Sequence, residues 1–136
     1  MSNKSVFTID VASSDKVQLL EITDSVAPLV RGSGVRSGVC HIFTPHTTAA
    51  VTINENADPD VRKDIIKGLG HMVPEDIGYD HAEGNSAAHI KASIFGNSSS
   101  LPVDNGELLL GTWQGIYLCE FDGPRRRKVY VKVIEG

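Results

Sequence analysis

The stretch His46–Asp60, HTTAAVTINENADPD, alternates between two kinds of side chain before it reaches a helix start. At the two-residue period of a β-strand, one face is mostly apolar: Thr47, Ala49, Val51 and Ile53. The opposite face has His46 at one end and Asn54 at the other, with only small side chains between them. Small side chains leave room, so this face is predicted to floor a pocket. A half-buried strand without a ligand is the open alternative.

A helix is predicted to begin directly after this strand. Asp58 is a favourable N-cap, Pro59 suits the first helical position and Asp60 favours the positive end of the helix dipole. The apolar residues that follow share one helical face: Val61, Ile65, Ile66 and Leu69. Because helix N-termini attract anions, we expect an anion site beside the pocket floor.

Two later segments are also rich in polar groups. The segment 75–86 has little periodicity and many His, Asp, Glu and Asn residues, which is typical of a functional loop. The segment 88–95 alternates again and is predicted to be a strand with His89, Lys91 and Ser93 on one face. A proton donor, a cation and a hydroxyl in one row favour an anion ligand. A solvent-facing sheet surface is the alternative.

The pattern of predicted elements indicates one α+β domain over residues 1–136. About eight short strands, two main helices and a hairpin signal at 104–106 favour mostly antiparallel sheets in a sandwich. Glu120 falls inside an apolar strand pattern and needs a partner if it is buried. The basic run 125–128 fits a solvated hairpin end, with a phosphate site as the alternative.

Composition restricts the classes of partner and compartment. The net charge of −4 gives no reason to expect a nucleic-acid partner. No apolar run approaches the length of a membrane span, and no signal peptide is evident, so we expect a cytoplasmic protein without a membrane partner. Cys40 and Cys119 lie in apolar strand patterns, which favours buried free thiols and leaves a disulfide open.

Five motifs occur in order along the chain: HTTAAVTINENADPD at 46–60, Gly84-Asn85, AHIKAS at 88–93, LGTWQG at 110–115 and EFDGPR at 120–125. Together they resemble the YjbQ-like family, also known as the secondary thiamine-phosphate synthase family. The resemblance implies a β-rich α+β fold, a homotrimer, and pockets at or near the subunit boundaries.

The same resemblance implies thiamine-phosphate synthase activity, as a main or a secondary reaction. In it a thiazole phosphate displaces pyrophosphate from a hydroxymethylpyrimidine diphosphate. The residues that the motifs imply to be catalytic are His46, His89, Asn54 and Glu55. The residues that they imply to bind the ligand are Gly84, Asn85, Lys91 and Ser93.

Three hypotheses about function follow. The first is a transferase in which Lys91, protonated His89 and the helix start stabilise departing pyrophosphate, and His46 orients or protonates it. Magnesium held by Glu55 or Asp58 would assist, and no organic cofactor is expected. The second is a zinc-dependent hydrolase that uses His46, His81 and His89 as ligands. The third is a trimer that binds a small anion without turnover.

Overall fold

The computed structural model describes residues 6–136, whose strands form two antiparallel sheets. The strands are β1 (Phe7–Ala12), β2 (Gln18–Glu21), β3 (Ser37–Phe43), β4 (Ala49–Glu55), β5 (Ser98–Asp104), β6 (Glu107–Leu108), β7 (Gln114–Glu120) and β8 (Arg126–Glu135). The helices are α1 (Thr23–Gly32), α2 (Pro59–Met72) and α3 (Ser86–Phe95). The five-stranded sheet has the order β1-β8-β3-β5-β6 and the three-stranded sheet the order β2-β7-β4. The first predicted strand began at Ser5, which lies outside the described residues.

The main core lies between the two sheets and supports the predicted inner face of β4. Ala49 and Val51 are almost fully buried there, and Ile53 packs against the same cluster. α1 adds Val26 and Val30, both without solvent exposure. These contacts confirm the α+β class with antiparallel sheets in a sandwich.

A second core lies on the other face of the three-stranded sheet. Ala50 of β4 is fully buried there beside Leu69 of α2 and Ala88 of α3. The prediction that this face of β4 forms the floor of an open pocket is therefore wrong for the centre of the strand, because α2 and α3 cover the face there. The small Ala50 side chain leaves room for a helix to approach the sheet, not for a ligand.

The segment 88–95 is helix α3 and not the predicted strand. Its buried residues Ala88, Lys91 and Ala92 follow the spacing of a helical face. Alanine and isoleucine alternate in this segment as in a strand, but Ala88 and Ala92 recur at a spacing of four, which fits a helix as well. α3 ends at Phe95, and its C-cap residue Gly96 has a φ of 91°, in the region that favours glycine. The fold thus has a third helix.

Other local predictions are confirmed. Asp58 caps α2 by accepting a hydrogen bond from the N–H of Asp60 at 2.9 Å. Asn105 and Gly106 form the two-residue turn between β5 and β6, both with positive φ. Cys40 and Cys119 are buried free thiols. None of the helices within residues 6–136 combines the length and the apolar character needed to cross a membrane.

Candidate functional site

Five separate segments meet at one end of the sandwich and enclose a cavity of about 350 Å³, here called the basic chamber. The loop between β3 and β4, the loop after α2, α3, the turn after β7 and the first residues of β8 all contribute. The lining residues are His46, Thr47, Thr48, His81, Glu83, Asn85, His89, Asp122, Arg125 and Arg127.

A buried ion pair joins the two sheets beside this chamber. Arg127 of β8 donates from Nε to Glu120 Oε1 of β7 at 2.8 Å, and its Nη2 donates to Glu120 Oε2. Glu120 also accepts from Ser13 Oγ at 2.7 Å and from the N–H of Asp122 at 3.0 Å. Burial opposes ionisation of Glu120, but the hydrogen bonds from Arg127 and Ser13 outweigh it and hold its pKa below the usual range.

Arg127 still has donors for a ligand. Its Nη2 also donates to Thr48 Oγ1 at 2.9 Å. The bonds of the guanidinium occupy Nε and Nη2, and within the described part of the chain they leave both N–H groups of Nη1 for another partner. Because Arg127 lines the chamber, these donors favour an anionic oxygen as their partner.

Arg125 provides a second guanidinium at the same wall. It donates to the carbonyl oxygen of Asp122 and to Asp122 Oδ2, both at 2.8 Å, and its side chain is about half exposed. The next residue, Arg126, is exposed and does not line the chamber. The basic run is therefore not a uniformly solvated hairpin end, since alternate arginines face the chamber.

The imidazole of His46 is held by the backbone of β8. Its Nε2 lies 2.9 Å from the backbone nitrogen of Lys128, which can only donate. The lone pair is therefore on Nε2, and a neutral ring has its proton on Nδ1. Burial, followed by the positive charge of Arg127, lowers the pKa of His46. His46 is thus a neutral hydrogen-bond donor near pH 7.

His81 and His89 form a pair on the other side of the chamber. Their rings meet edge to face, with centroids 5.6 Å apart. His89 also lines two neighbouring cavities. The large cavity, of about 620 Å³, is bounded by Phe43, Pro45, Ala92 and Asn97 among others. The aromatic recess, of about 370 Å³, is bounded by Tyr79, Asp80, His81, Ser86, His89 and Ile90.

The structure brings several of the predicted site residues together. His46, His81, His89 and Asn85 line the basic chamber, and Ser93 lines the large cavity. His89 and Ser93 share a helical face because they are four residues apart. Gly84 precedes Asn85 and has a positive φ of 75°, which suits the turn into α3.

Three other predicted residues are not brought to the chamber. Lys91 comes two positions after His89, and residues two positions apart on a helix point about 200° away from each other. Lys91 is therefore buried on another side of α3, where its Nζ lies 3.1 Å from Glu75 Oε2. The expected row of His89, Lys91 and Ser93 is therefore wrong. Asn54 and Glu55 lie at the opposite end of β4 from His46, and the helix start at Asp58 follows them there.

Asp122 was not among the predicted site residues, and Arg125 and Arg127 were included only through the alternative that the basic run 125–128 is a phosphate site. One signal was present, since a glutamate inside a buried strand requires a cation or a donor set. The basic run five residues later offered that cation. Nothing in the local sequence, however, indicates which of its four charges turns inward.

The three histidines do not form a zinc-binding set in this geometry. Nε2 of His46 accepts a backbone N–H, and the neutral ring then has a proton on Nδ1, so neither nitrogen has a free lone pair. Among residues 6–136, no three His, Cys, Asp or Glu side chains are grouped to hold a metal ion. The carboxylates expected to bind magnesium, Glu55 and Asp58, lie at the far end of β4.

Comparison with known proteins gives consistent matches over nearly the whole chain. Residues 7–136 match the family described as UPF0047 protein YjbQ-like. The chain is 47% identical to UPF0047 protein MJ1081 of Methanocaldococcus jannaschii, over 96% of this chain and 95% of that protein. It is also 47% identical to UPF0047 protein YugU of Bacillus subtilis, over 93% and 97%.

Solved structures agree with these relatives. An uncharacterized YjbQ/UPF0047 family protein from Clostridium acetobutylicum matches with a TM-score of 0.92 and 52% identity, over 94% of this chain and 99% of that one. A protein of unknown function from Sulfolobus solfataricus matches with a TM-score of 0.93 and 34% identity, over 96% of each chain.

Removing the cation of the buried ion pair should destabilise the fold strongly. We expect Arg127→Met to lower the free energy of unfolding by about 3–5 kcal/mol, because it leaves Glu120 buried and uncompensated. The double variant Arg127→Met/Glu120→Leu should recover most of that loss. Urea unfolding followed by circular dichroism measures both. Equal stability of Arg127→Met and wild type would show that the pair is not a structural link.

The His46 ring should be neutral, protonated on Nδ1, and should titrate below the usual value of about 6.5. Because its folded-state pKa is lowered, its contribution to stability is present above pH 6.5 and is lost as the pH falls through the folded pKa. A pH titration by ¹H–¹⁵N NMR, assigned with His46→Asn, measures the tautomer and the pKa. A proton on Nε2, or a pKa above 6.5, would contradict this description.

Proposed function

The chain belongs to the UPF0047 YjbQ-like family, and we propose that its basic chamber is the active site of a thiamine-phosphate synthase type of transferase. In that reaction the ring nitrogen of a thiazole phosphate attacks the methylene carbon of hydroxymethylpyrimidine diphosphate. The new C–N bond forms as the C–O bond to the diphosphate breaks. The electron pair of that bond leaves with pyrophosphate.

The observation that supports this proposal most is the set of donors around the chamber. Pyrophosphate gains negative charge as it leaves, so donors that are fixed before the reaction stabilise the transition state. Arg127 offers its two Nη1 N–H groups, and its position is fixed by Glu120 and Thr48. Arg125 adds a second cation at the same wall, where it is paired with the carboxylate of Asp122.

The neutral state of His46 defines its role in this mechanism. A ring protonated on Nδ1 and anchored through Nε2 donates one hydrogen bond in a fixed direction. We assign it to orienting a phosphate oxygen, in place of the full proton transfer that the sequence analysis also allowed. His89 lies where all three cavities meet and is the histidine that can contact both reactants.

The cavities beside the chamber favour transfer over hydrolysis. A hydrolase needs room for one organic substrate and a water, whereas a transferase must hold two organic groups at one reacting centre. The large cavity and the aromatic recess share only His89 among their lining residues and offer two such places. The same arrangement supports a small phosphorylated substrate as the ligand.

Loss of one chamber cation should reduce turnover. We expect Arg125→Gln to lower kcat/KM for thiamine phosphate formation by roughly 10- to 100-fold, because a donor to the departing pyrophosphate is removed. Arg126→Gln is the matched control: its side chain lies outside the chamber, so its rate should equal that of wild type. The assay measures thiamine phosphate after both substrates are mixed with the protein.

Three results of this assay would overturn the proposal. Equal rates for Arg125→Gln and wild type would remove the chamber from the reaction. A wild-type protein that binds both substrates but forms no product would favour a binding protein, and release of pyrophosphate without coupling would favour a hydrolase.

The proposal includes the homotrimer that the family resemblance implies. An exposed apolar patch on the five-stranded sheet supports association, since Val39 is 42% and Ile134 is 48% exposed although the two residues are paired across β3 and β8. Light scattering should give three times the 14.6 kDa of one chain. Val39→Lys should lower that mass, and a monomeric mass for wild type would contradict the assignment.

A further inference from the structure

We propose that the aromatic recess binds the flat ring of the acceptor substrate, with Tyr79 as its stacking surface. The inference rests on the proposed function, because it assigns one of the two reactants to a defined place beside the basic chamber. The ligand class is a heteroaromatic phosphate ester whose ring nitrogen is the nucleophile.

The walls of the recess suit a planar ring. Tyr79 and the rings of His81 and His89 supply aromatic surfaces, and Ile90 supplies an aliphatic one. Ile90 remains 39% exposed although it follows directly after the chamber residue His89. Aromatic and apolar groups in contact with water at the edge of an anion site favour a ligand that has both an apolar and an anionic part.

Tyr79 is held in place before any ligand arrives. Its hydroxyl donates a hydrogen bond of 2.6 Å to the carbonyl oxygen of Pro74, within the loop that follows α2. The same loop is anchored at Glu75, which contacts both Lys16 at 2.6 Å and the buried Lys91 at 3.1 Å. A ring that is fixed in this way loses little conformational entropy when a ligand stacks on it.

The recess and the chamber share two residues, which fixes the direction of a bound ester. His81 and His89 line both cavities, so a ring in the recess can extend its phosphate past the histidine pair toward Arg125 and Arg127. Asp80 lies at the recess wall. Its carboxylate favours the positive charge that the ring nitrogen acquires when the C–N bond forms.

The large cavity is a poorer fit for this ring. Its wall mixes apolar residues with Thr44, Thr47, Ser93 and Asn97 and does not include Tyr79. It therefore suits the donor substrate, whose ring has polar substituents. The assignment places the two rings on different sides of His89, with the methylene carbon between the attacking ring nitrogen and the departing diphosphate.

Calorimetric titration with phenyl phosphate and with inorganic phosphate tests this assignment. We expect wild type to bind phenyl phosphate about tenfold more tightly than inorganic phosphate, which is the scale of ring stacking. Tyr79→Ala should reduce this ratio to within about twofold, while its affinity for inorganic phosphate stays unchanged. Tyr79→Phe, which keeps the ring and loses the bond to Pro74, should keep the ratio well above that of Tyr79→Ala.

A matched variant in the large cavity separates the two places for the ring. Asn97→Leu narrows the large cavity and should leave the phenyl phosphate ratio as in wild type. A ratio that survives Tyr79→Ala but is lost in Asn97→Leu would overturn the assignment, as would equal affinities of wild type for the two probes. In either case the basic chamber would stand. If wild type bound neither probe, the anion site and the proposed function would fail together with the assignment.

Discussion

The ion pair between Arg127 and Glu120 is the interaction on which the candidate site depends. It joins β8 of one sheet to β7 of the other, and both side chains are almost fully removed from water. A buried pair of this kind contributes little net stability relative to apolar side chains, because desolvation offsets the attraction. Its main effect here is to fix the positions of its neighbours. Arg127 and Glu120 also form hydrogen bonds with Thr48, Ser13 and the backbone N–H of Asp122.

One short segment of the chain therefore organises most of the chamber. Arg125 contributes a cation, Arg127 contributes donors whose position is fixed, and the N–H of Lys128 sets the tautomer of His46. Because Glu120 compensates much of the charge of Arg127, the chamber attracts an anion mainly through directed N–H groups. Directed donors discriminate between ligands by geometry, which suits the departure of one particular group from a substrate.

The sequence alone predicted most of the local structure and the family, but not helix α3 or the contacts between distant segments. The cap at Asp58, the turn at Asn105 and the inner face of β4 follow from short-range rules and are confirmed. α3 was predicted as a strand because the spacing of its alanines fits both the strand period and the helix period. That error put Lys91 on the same face as His89. Asn54 was assigned to the same site as His46 because both residues lie on one predicted strand face. That pattern does not show how far apart they are along the strand, or that helices cover the face between them. The basic run 125–128 was only an alternative phosphate site, because the local sequence does not show that Arg127 turns inward to Glu120 in the other sheet.

A crystal structure of the protein with pyrophosphate tests the central claim most directly. The account predicts a diphosphate in the basic chamber, with oxygen atoms within hydrogen-bond distance of Arg127 Nη1 and His46 Nδ1, and Arg125 beside it. The Arg127–Glu120 pair should be unchanged, since it fixes the donors before the ligand binds. Pyrophosphate bound at another place, or a chamber that stays without it at saturating concentration, would contradict the account.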